Sequence, residues 1–334
     1  MEDLIEFVNR FPQGISASEI ERHFKLSRTT LNRRLKEALQ AGSLVVSGKG
    51  PATRYHSADP LSALRAYFAK PHTDRTLAPY REALLEPEPG LSVESLKKFE
   101  SVSDYVLDKR ELSKFLIDFS CASSVLEGGT YSLLDTQALL EYGEKSAGKP
   151  LADAFLVLNH KEAFEYLHDH MQLESIFKVH DLLTNDHDVP ELKKTFHFLP
   201  REQRGVTRER SDVDIPFSTY LPPFRPGTGY IKTMLEKILA TADSIQHPVQ
   251  AAFYLLTRIA YLQPFQDGNK RTSRAMCNVP LIRAKRPPIS FVDFGKQDYI
   301  VSMLAFYELG DTKLAERCFV DAYGKSIARL GLHP

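Results

Sequence analysis

The apolar run Pro248–Leu262 constrains this chain more than any other stretch. It is too long for an ordinary strand and its apolar residues recur with helical spacing, so it predicts a buried helix. Pro264, Gly268 and Asn269 then break the pattern. A second helical pattern starts near Lys270 and runs to about Lys285, with a bend expected at Pro280. The segment between them therefore feeds a helix N-terminus, where unpaired backbone N–H groups and the positive dipole end attract anions. Gly268 lets the backbone approach a phosphate closely. Asp267 suits Mg²⁺, which takes one or two carboxylates plus phosphate oxygens. Arg271 and Arg274 lie three apart and share a helix face, an arrangement suited to a triphosphate. The alternative is a helix–loop–helix carrying a solvated Lys–Arg cluster.

Residues 263–274 read Gln-Pro-Phe-Gln-Asp-Gly-Asn-Lys-Arg-Thr-Ser-Arg. The order resembles the signature of the Fic (Fido) family, H-P-F-x-[DE]-G-N-G-R-x-x-R. The resemblance implies ATP and Mg²⁺ as ligands, with Gly268, Asn269, Lys270, Arg271 and Arg274 binding nucleotide and Asp267 holding the metal. It departs at two places. Gln263 stands where the family has its catalytic histidine. Lys270 replaces a glycine, as in the related Doc branch, whose phosphoryl transfer reverses the nucleotide orientation.

Two further segments resemble the family. Ser123-Ser124-Val125-Leu126-Glu127-Gly128 is similar to its inhibitory motif, [ST]-x-x-x-E-[GN]. The resemblance implies an inhibitory helix at about 111–128 whose Glu127 pairs with Arg274 and blocks the γ-phosphate position, with Ser123 and Gly128 completing the motif. An arginine paired with a carboxylate cannot also pair with phosphate. By itself the segment is equally a capped helix end with an exposed glutamate. Residues 205–223 are similar to the flap, a β-hairpin that docks an extended target protein by strand addition. Asp212-Val213-Asp214-Ile215 alternates polar and apolar as an edge strand should.

The front of the chain is a separate module. Asp3–Phe11 is a short amphipathic helix ended by Pro12 and Gly14. Ser16 and Ser18 are candidate caps for a second helix ending near Phe24, and Ser27 opens a third, Arg28–Ala41, ended by Gly42. Residues 43–47 and 52–56 flank a Gly-Lys-Gly-Pro turn and predict a hairpin. Three helices and a hairpin resemble a winged helix-turn-helix. The third helix places Leu31, Leu35, Ala38 and Leu39 inward. Arg28, Thr29, Thr30, Asn32, Arg33 and Arg34 face outward, with Lys49 and Arg54 on the wing. These are residue types that contact phosphates and base edges. Residues 1–59 carry nine Lys/Arg against seven acids, a modest excess. A winged helix binding protein through a solvated basic face is the alternative.

Formal net charge is zero and the pI about 7.2, so any nucleic-acid contact must be local. Cys121, Cys277 and Cys318 are scattered and lack metal-ligand spacing, which predicts buried thiols in a reducing compartment. The chain shows neither a signal-like run nor an uncharged spanning segment, so a cytoplasmic protein without membrane contact is expected.

The expected fold is mainly α: an all-helical Fic-like core with a small β-hairpin flap, preceded by a winged helix-turn-helix. The expected divisions are 1–59, a helical connector at 60–90, and 91–334. In the family the motif histidine takes the proton of a target hydroxyl that attacks the α-phosphate of ATP. An amide cannot do this, and losing a general base removes ~10²–10⁴-fold in rate. Three readings follow. One is a nucleotide-responsive regulator that binds duplex DNA, with a homodimer compatible with a palindromic site. Another is an active AMP or phosphoryl transferase with an altered mechanism. The third is a partner-binding module that takes no nucleotide.

Overall fold

Serine caps and short apolar stripes build the first part of the chain. The computed structural model describes residues 2–11, 13–102, 104–209 and 213–332. Residues up to Ala78, with 216–219 and 307–309, form one compact unit, and the remainder forms a second. The first holds α1 (Glu2–Asn9), α2 (Ala17–Phe24), α3 (Arg28–Gln40), β1 (Leu44–Ser47), β2 (Arg54–Ser57) and α4 (Pro60–Phe68). Ser16, not Ser18, caps α2, because its Oγ accepts from the Glu19 N–H while the Glu19 carboxylate accepts from the Ser16 N–H. Ser27 caps α3. Leu31, Leu35 and Ala38 pack with Leu4, Val8, Ile20 and Leu44 in a small core, and Leu39 is partly buried beside them. Each fully buried Leu, Val or Ile there contributes about 1.5–3 kcal/mol. β1 and β2 pair antiparallel, Leu44 opposite Ser57 and Ser47 opposite Arg54, and Ile15 bridges to Tyr55.

The connector is less helical than expected. α4 stops at Phe68, and the chain to residue 90 continues as short 3₁₀ turns and the two-residue strand β3 (Ala78–Pro79). Pro71, Pro79, Pro87 and Pro89 explain this, since each lacks an N–H and disfavours helix in the residue before it.

The second unit is helical: α5 (Val93–Lys97), α6 (Lys109–Leu126), α7 (Leu133–Tyr142), α8 (Leu151–Asp169) and α9 (Ile176–Leu183) precede β4 (Tyr220–Leu221). Then come α10 (Tyr230–Ser244), α11 (Pro248–Leu262), α12 (Asn269–Met276), α13 (Asn278–Arg283), α14 (Lys296–Leu304) and α15 (Lys313–Arg329). Every residue of α11 from Ala251 to Leu262 is buried, Thr257 and Arg258 included, so α11 is enclosed on all sides and forms the centre of the core. The second helical pattern breaks at Cys277, one turn before the expected bend at Pro280. The proline ring conflicts with the carbonyl four residues back, that of Met276, so the break falls there.

The segment expected as a hairpin flap is mostly irregular among its described residues. Its strand, β4, belongs to a two-stranded sheet with β3. Pro216, Pro222 and Pro223 remove ladder donors, and Phe217 adopts a positive φ of 62°. Asp212 of the expected edge strand lies outside the described residues. Among the described residues, no helix is long and apolar enough to cross a membrane. Cys121 and Cys277 are buried free thiols, while Cys318 is half-buried.

Candidate functional site

The loop between α11 and α12 is held by its own side chains. Gln263 ends α11 in the left-handed region (φ 51°, ψ 59°) and is 8% exposed. Its Nε2 donates to the Ala260 carbonyl at 2.6 Å, and its Oε1 accepts from Asn269 Nδ2 at 3.0 Å. The Ala260 carbonyl can only accept, so the amide orientation is fixed, and an amide offers no basic atom for a proton. Asn269 also donates to the Phe265 carbonyl and accepts from the Phe265 N–H, closing the loop on itself. Gly268 precedes α12 at φ 73°, and no side chain caps that helix. The first intrahelical bond runs from Thr272 N to Gly268 O, which leaves the earlier N–H groups directed at the loop.

A Cβ on Gly268 would stand 2.8 Å from Thr184 Cγ2. Gly268→Ala should therefore lower the melting temperature, through a left-handed backbone cost of about 1–2 kcal/mol plus the clash. Adding Thr184→Ser removes the opposing methyl and keeps the hydroxyl that donates to His180 O at 2.7 Å. The double variant should recover the steric part only. Equal melting for Gly268→Ala and wild type would show that the loop does not require glycine.

Both motif arginines are buried. Arg271 donates to Asp267 Oδ2 at 2.6 Å and to the Leu183 carbonyl at 2.9 Å. Arg274 is fully buried and meets Glu127 at 2.7 Å. Its Nε donates to Ser123 Oγ (2.9 Å), its Nη2 also reaches the Ser123 carbonyl (3.2 Å), and its Nη1 donates to Tyr299 Oη (3.2 Å). Glu127 is the C-cap of α6, whose N-terminus is fixed by an Asp108–Glu111 capping box. Gly128 then turns away at φ 103°. Burial pushes the Glu127 carboxyl up, but the Arg274, Lys270 and Arg271 cations outweigh it and hold it well below the usual carboxylate range.

Sequence reasoning missed the histidines behind these contacts. His160 on α8 sits at 2.8 Å from Ser123 Oγ through Nε2 and at 2.6 Å from the Leu156 carbonyl through Nδ1. The carbonyl accepts, so Nδ1 carries the proton and Nε2 accepts from Ser123. Burial, then the Arg274 and Arg271 charges, push its pKa down to about 3, against the upward pull of its hydrogen bond to Leu156. His180 stacks on Phe265 at 3.8 Å, lies 3.0 Å from the Asp267 carbonyl through Nε2, and accepts from the Gly205 N–H at 2.9 Å through Nδ1. Burial brings it down to about 4. Arg208 donates to the carbonyls of Gln263 (2.7 Å) and Pro223 (2.6 Å), joining both ends of the 205–223 segment to the head of the motif. His197, half-buried, lies in the field of Arg271, Glu127 and Asp267, and burial lowers its pKa. No local pattern marks these residues, since their contacts to the motif and to Ser123 span tens of residues.

The residues present fit a Mg²⁺–triphosphate. Asp267 keeps a partly exposed carboxylate beside Arg271, and no group of three potential metal ligands occurs among the described residues. One carboxylate with phosphate oxygens and waters is the usual Mg²⁺ arrangement. In the first unit, Arg28, Thr29, Asn32, Arg33, Lys49 and Arg54 are exposed, with Thr30 and Arg34 half-buried. Arg28 pairs with Glu21, Arg33 with Glu37 and Arg54 with Glu19, at 2.7–2.8 Å. Such exposed pairs are worth about 0–1 kcal/mol and exchange readily for phosphate.

Residues 169–281 match the model of the Fic/DOC family. A Fic/Fido domain is supported. The chain is 27% identical over 246 residues to a protein adenylyltransferase Fic of Nematostella vectensis, covering 70% of this chain and 55% of that protein. A namesake in Aedes aegypti is 28% identical over 201 residues, 57% of this chain and 37% of its own length. The chain thus spans about half or less of these relatives. In fold it is similar to Fic-1 of C. elegans (TM-score 0.53, 22% identity, 71% of this chain and 68% of that one). A Fic family protein from Desulfovibrio desulfuricans superposes with a TM-score of 0.51 at 18% identity, covering 72% and 73%.

Proposed function

We propose that this chain binds ATP with Mg²⁺ at the 263–274 loop, has lost or strongly reduced AMP transfer to protein hydroxyls, and acts as a nucleotide-responsive DNA-binding regulator. One observation carries the reading. Gly268, Asp267, Arg271 and Arg274 lie together at the loop, while the side chain at its head is an amide already bonded to Ala260 and Asn269. In AMP transfer a target hydroxyl attacks the α-phosphorus, its proton goes to a base, and pyrophosphate leaves. Mg²⁺ would neutralise charge on the phosphates. Gln263 offers no basic atom for the proton. Glu127 competes with the γ-phosphate for Arg274 and supplies autoinhibition.

Arg271→Ala should weaken ATP affinity by about 1.5–3 kcal/mol, one charge-assisted contact. Unchanged affinity in equilibrium dialysis with Mg²⁺ would place the nucleotide elsewhere.

The DNA half rests on the exposed basic face of α3 and the β1–β2 hairpin, read as a winged helix-turn-helix. Selection from random duplexes should enrich a sequence. Its affinity should fall with salt at a log–log slope of about −0.9 per phosphate contacted. Arg33→Ala with Arg34→Ala should flatten that slope. No enrichment, with weak binding indifferent to both substitutions, would favour a protein-binding module.

A second reading, a transferase with an altered mechanism, is favoured by His197. Burial lowers the pKa of this ring, and the Arg271 cation adds to the effect. Transfer from labelled ATP by the wild type distinguishes the two.

A further inference from the structure

We propose that a cavity of about 560 Å³ beside the first half of α6 binds a small organic phosphate, at a site separate from the motif loop. Its walls come from α6, α7, the end of α15 and Ser290. The volume lies within the usual range for small-ligand sites.

Charge decides the ligand class. Three cations line the cavity, Arg110, Lys114 and Arg329, with two acids, Asp118 and Glu141. Arg329 is already neutralised by Asp118, with Nε and Nη2 on its two oxygens at 2.6 and 2.7 Å. Glu141 accepts from Gln137 Nε2 at 3.0 Å. Arg110 and Lys114 stand one helical turn apart on the same face, and neither has an acidic partner among the described residues. Like charges at that spacing repel. A dianionic headgroup between them removes the repulsion and takes charge-assisted hydrogen bonds from both.

The remaining wall mixes apolar side chains with Ser113, Gln137, Ser290 and Ser326. Phe115 and Ile117 are buried, while Leu133 is left 38% exposed. Ser290 and Ser326 lie against each other in this lining, their hydroxyl oxygens 3.3 Å apart. A phosphate monoester with an aromatic or aliphatic body meets both parts, whereas free phosphate meets only the cations. Arg110 and Glu127 are separated by almost the whole of α6, about 25 Å at helical rise. Occupancy here therefore does not compete directly with a ligand at the motif.

Calorimetry of the full chain with phenyl phosphate, and separately with inorganic phosphate, tests the proposal. Phenyl phosphate should bind at millimolar concentration or below and more tightly than inorganic phosphate, with or without saturating ATP and Mg²⁺. Arg110→Ala with Lys114→Ala should weaken it at least about tenfold, the loss expected of charge-assisted contacts. Both side chains are exposed, so melting should stay near wild type. Displacement by ATP, equal affinity in the double variant, or equal affinity for phenyl and inorganic phosphate would each overturn it.

Discussion

Gln263→His combined with Glu127→Gly should raise AMP transfer from ATP to protein hydroxyls by about 10²-fold or more over wild type. The histidine restores a general base, a step worth ~10²–10⁴-fold. Gln263 occupies the left-handed region, where histidine is among the better-tolerated side chains. The substitution breaks the amide contacts to Ala260 and Asn269 but leaves the two Asn269–Phe265 bonds that close the loop. Glu127→Gly frees Arg274 from its 2.7 Å ion pair. Each change removes a different obstacle, so the double variant should exceed both single ones. Autoradiography with α-labelled ATP on all four forms measures this. Equal and negligible transfer by all four, despite bound ATP, would show that Lys270 or the 205–223 segment also blocks the chemistry. Strong transfer by wild type would instead support His197 as a working base.

Acid should destabilise the protein early, beginning below about pH 6.5. His160 and His180 are held neutral in the folded chain, at about 3 and about 4 against an ordinary 6.5. The unfolded chain takes up these protons first as pH falls. Full stability is therefore present above 6.5 and is lost progressively down toward the folded values. Each group removes about 1.4 kcal/mol per pH unit across its window. Glu127, depressed below its ordinary 4.5, adds a further loss beneath that pH. Melting temperatures from pH 7.5 to 4.5 should fall steeply in wild type and less steeply in His160→Gln. That variant keeps a donor for Leu156 and an acceptor for Ser123. A flat wild-type profile between pH 7 and 5 would contradict the buried neutral assignment.

The sequence was most legible where one helix controls its own fate. Pro248–Leu262 is read to the residue because apolar periodicity and the breakers at 264–269 both act locally. α6 falls two residues from the expected inhibitory helix for the same reason. The Ser123–Glu127–Arg274 cluster was legible only through resemblance to a family motif. Its supports were not, because His160 and Tyr299 reach Arg274's surroundings from distant helices. Among the described residues, the 205–223 segment and the connector after Phe68 are more irregular than expected. Alternation and periodicity carry no information on the prolines at 216, 222 and 223 or at 71, 79, 87 and 89, which remove backbone donors from the two segments. Asn269, expected to face a nucleotide, has its side chain engaged in closing the loop, a role that no pattern in the sequence marks.

Calorimetry with ATP and Mg²⁺ on wild type and Glu127→Gly tests the central claim most directly. Circular dichroism first checks that the variant, with Arg274 left partly unpaired, remains folded. Wild type should bind weakly. Glu127→Gly should bind about 10–150-fold more tightly, the equivalent of one freed charge-assisted contact of about 1.5–3 kcal/mol. Failure of both folded proteins to bind any nucleotide at millimolar concentration would contradict the account.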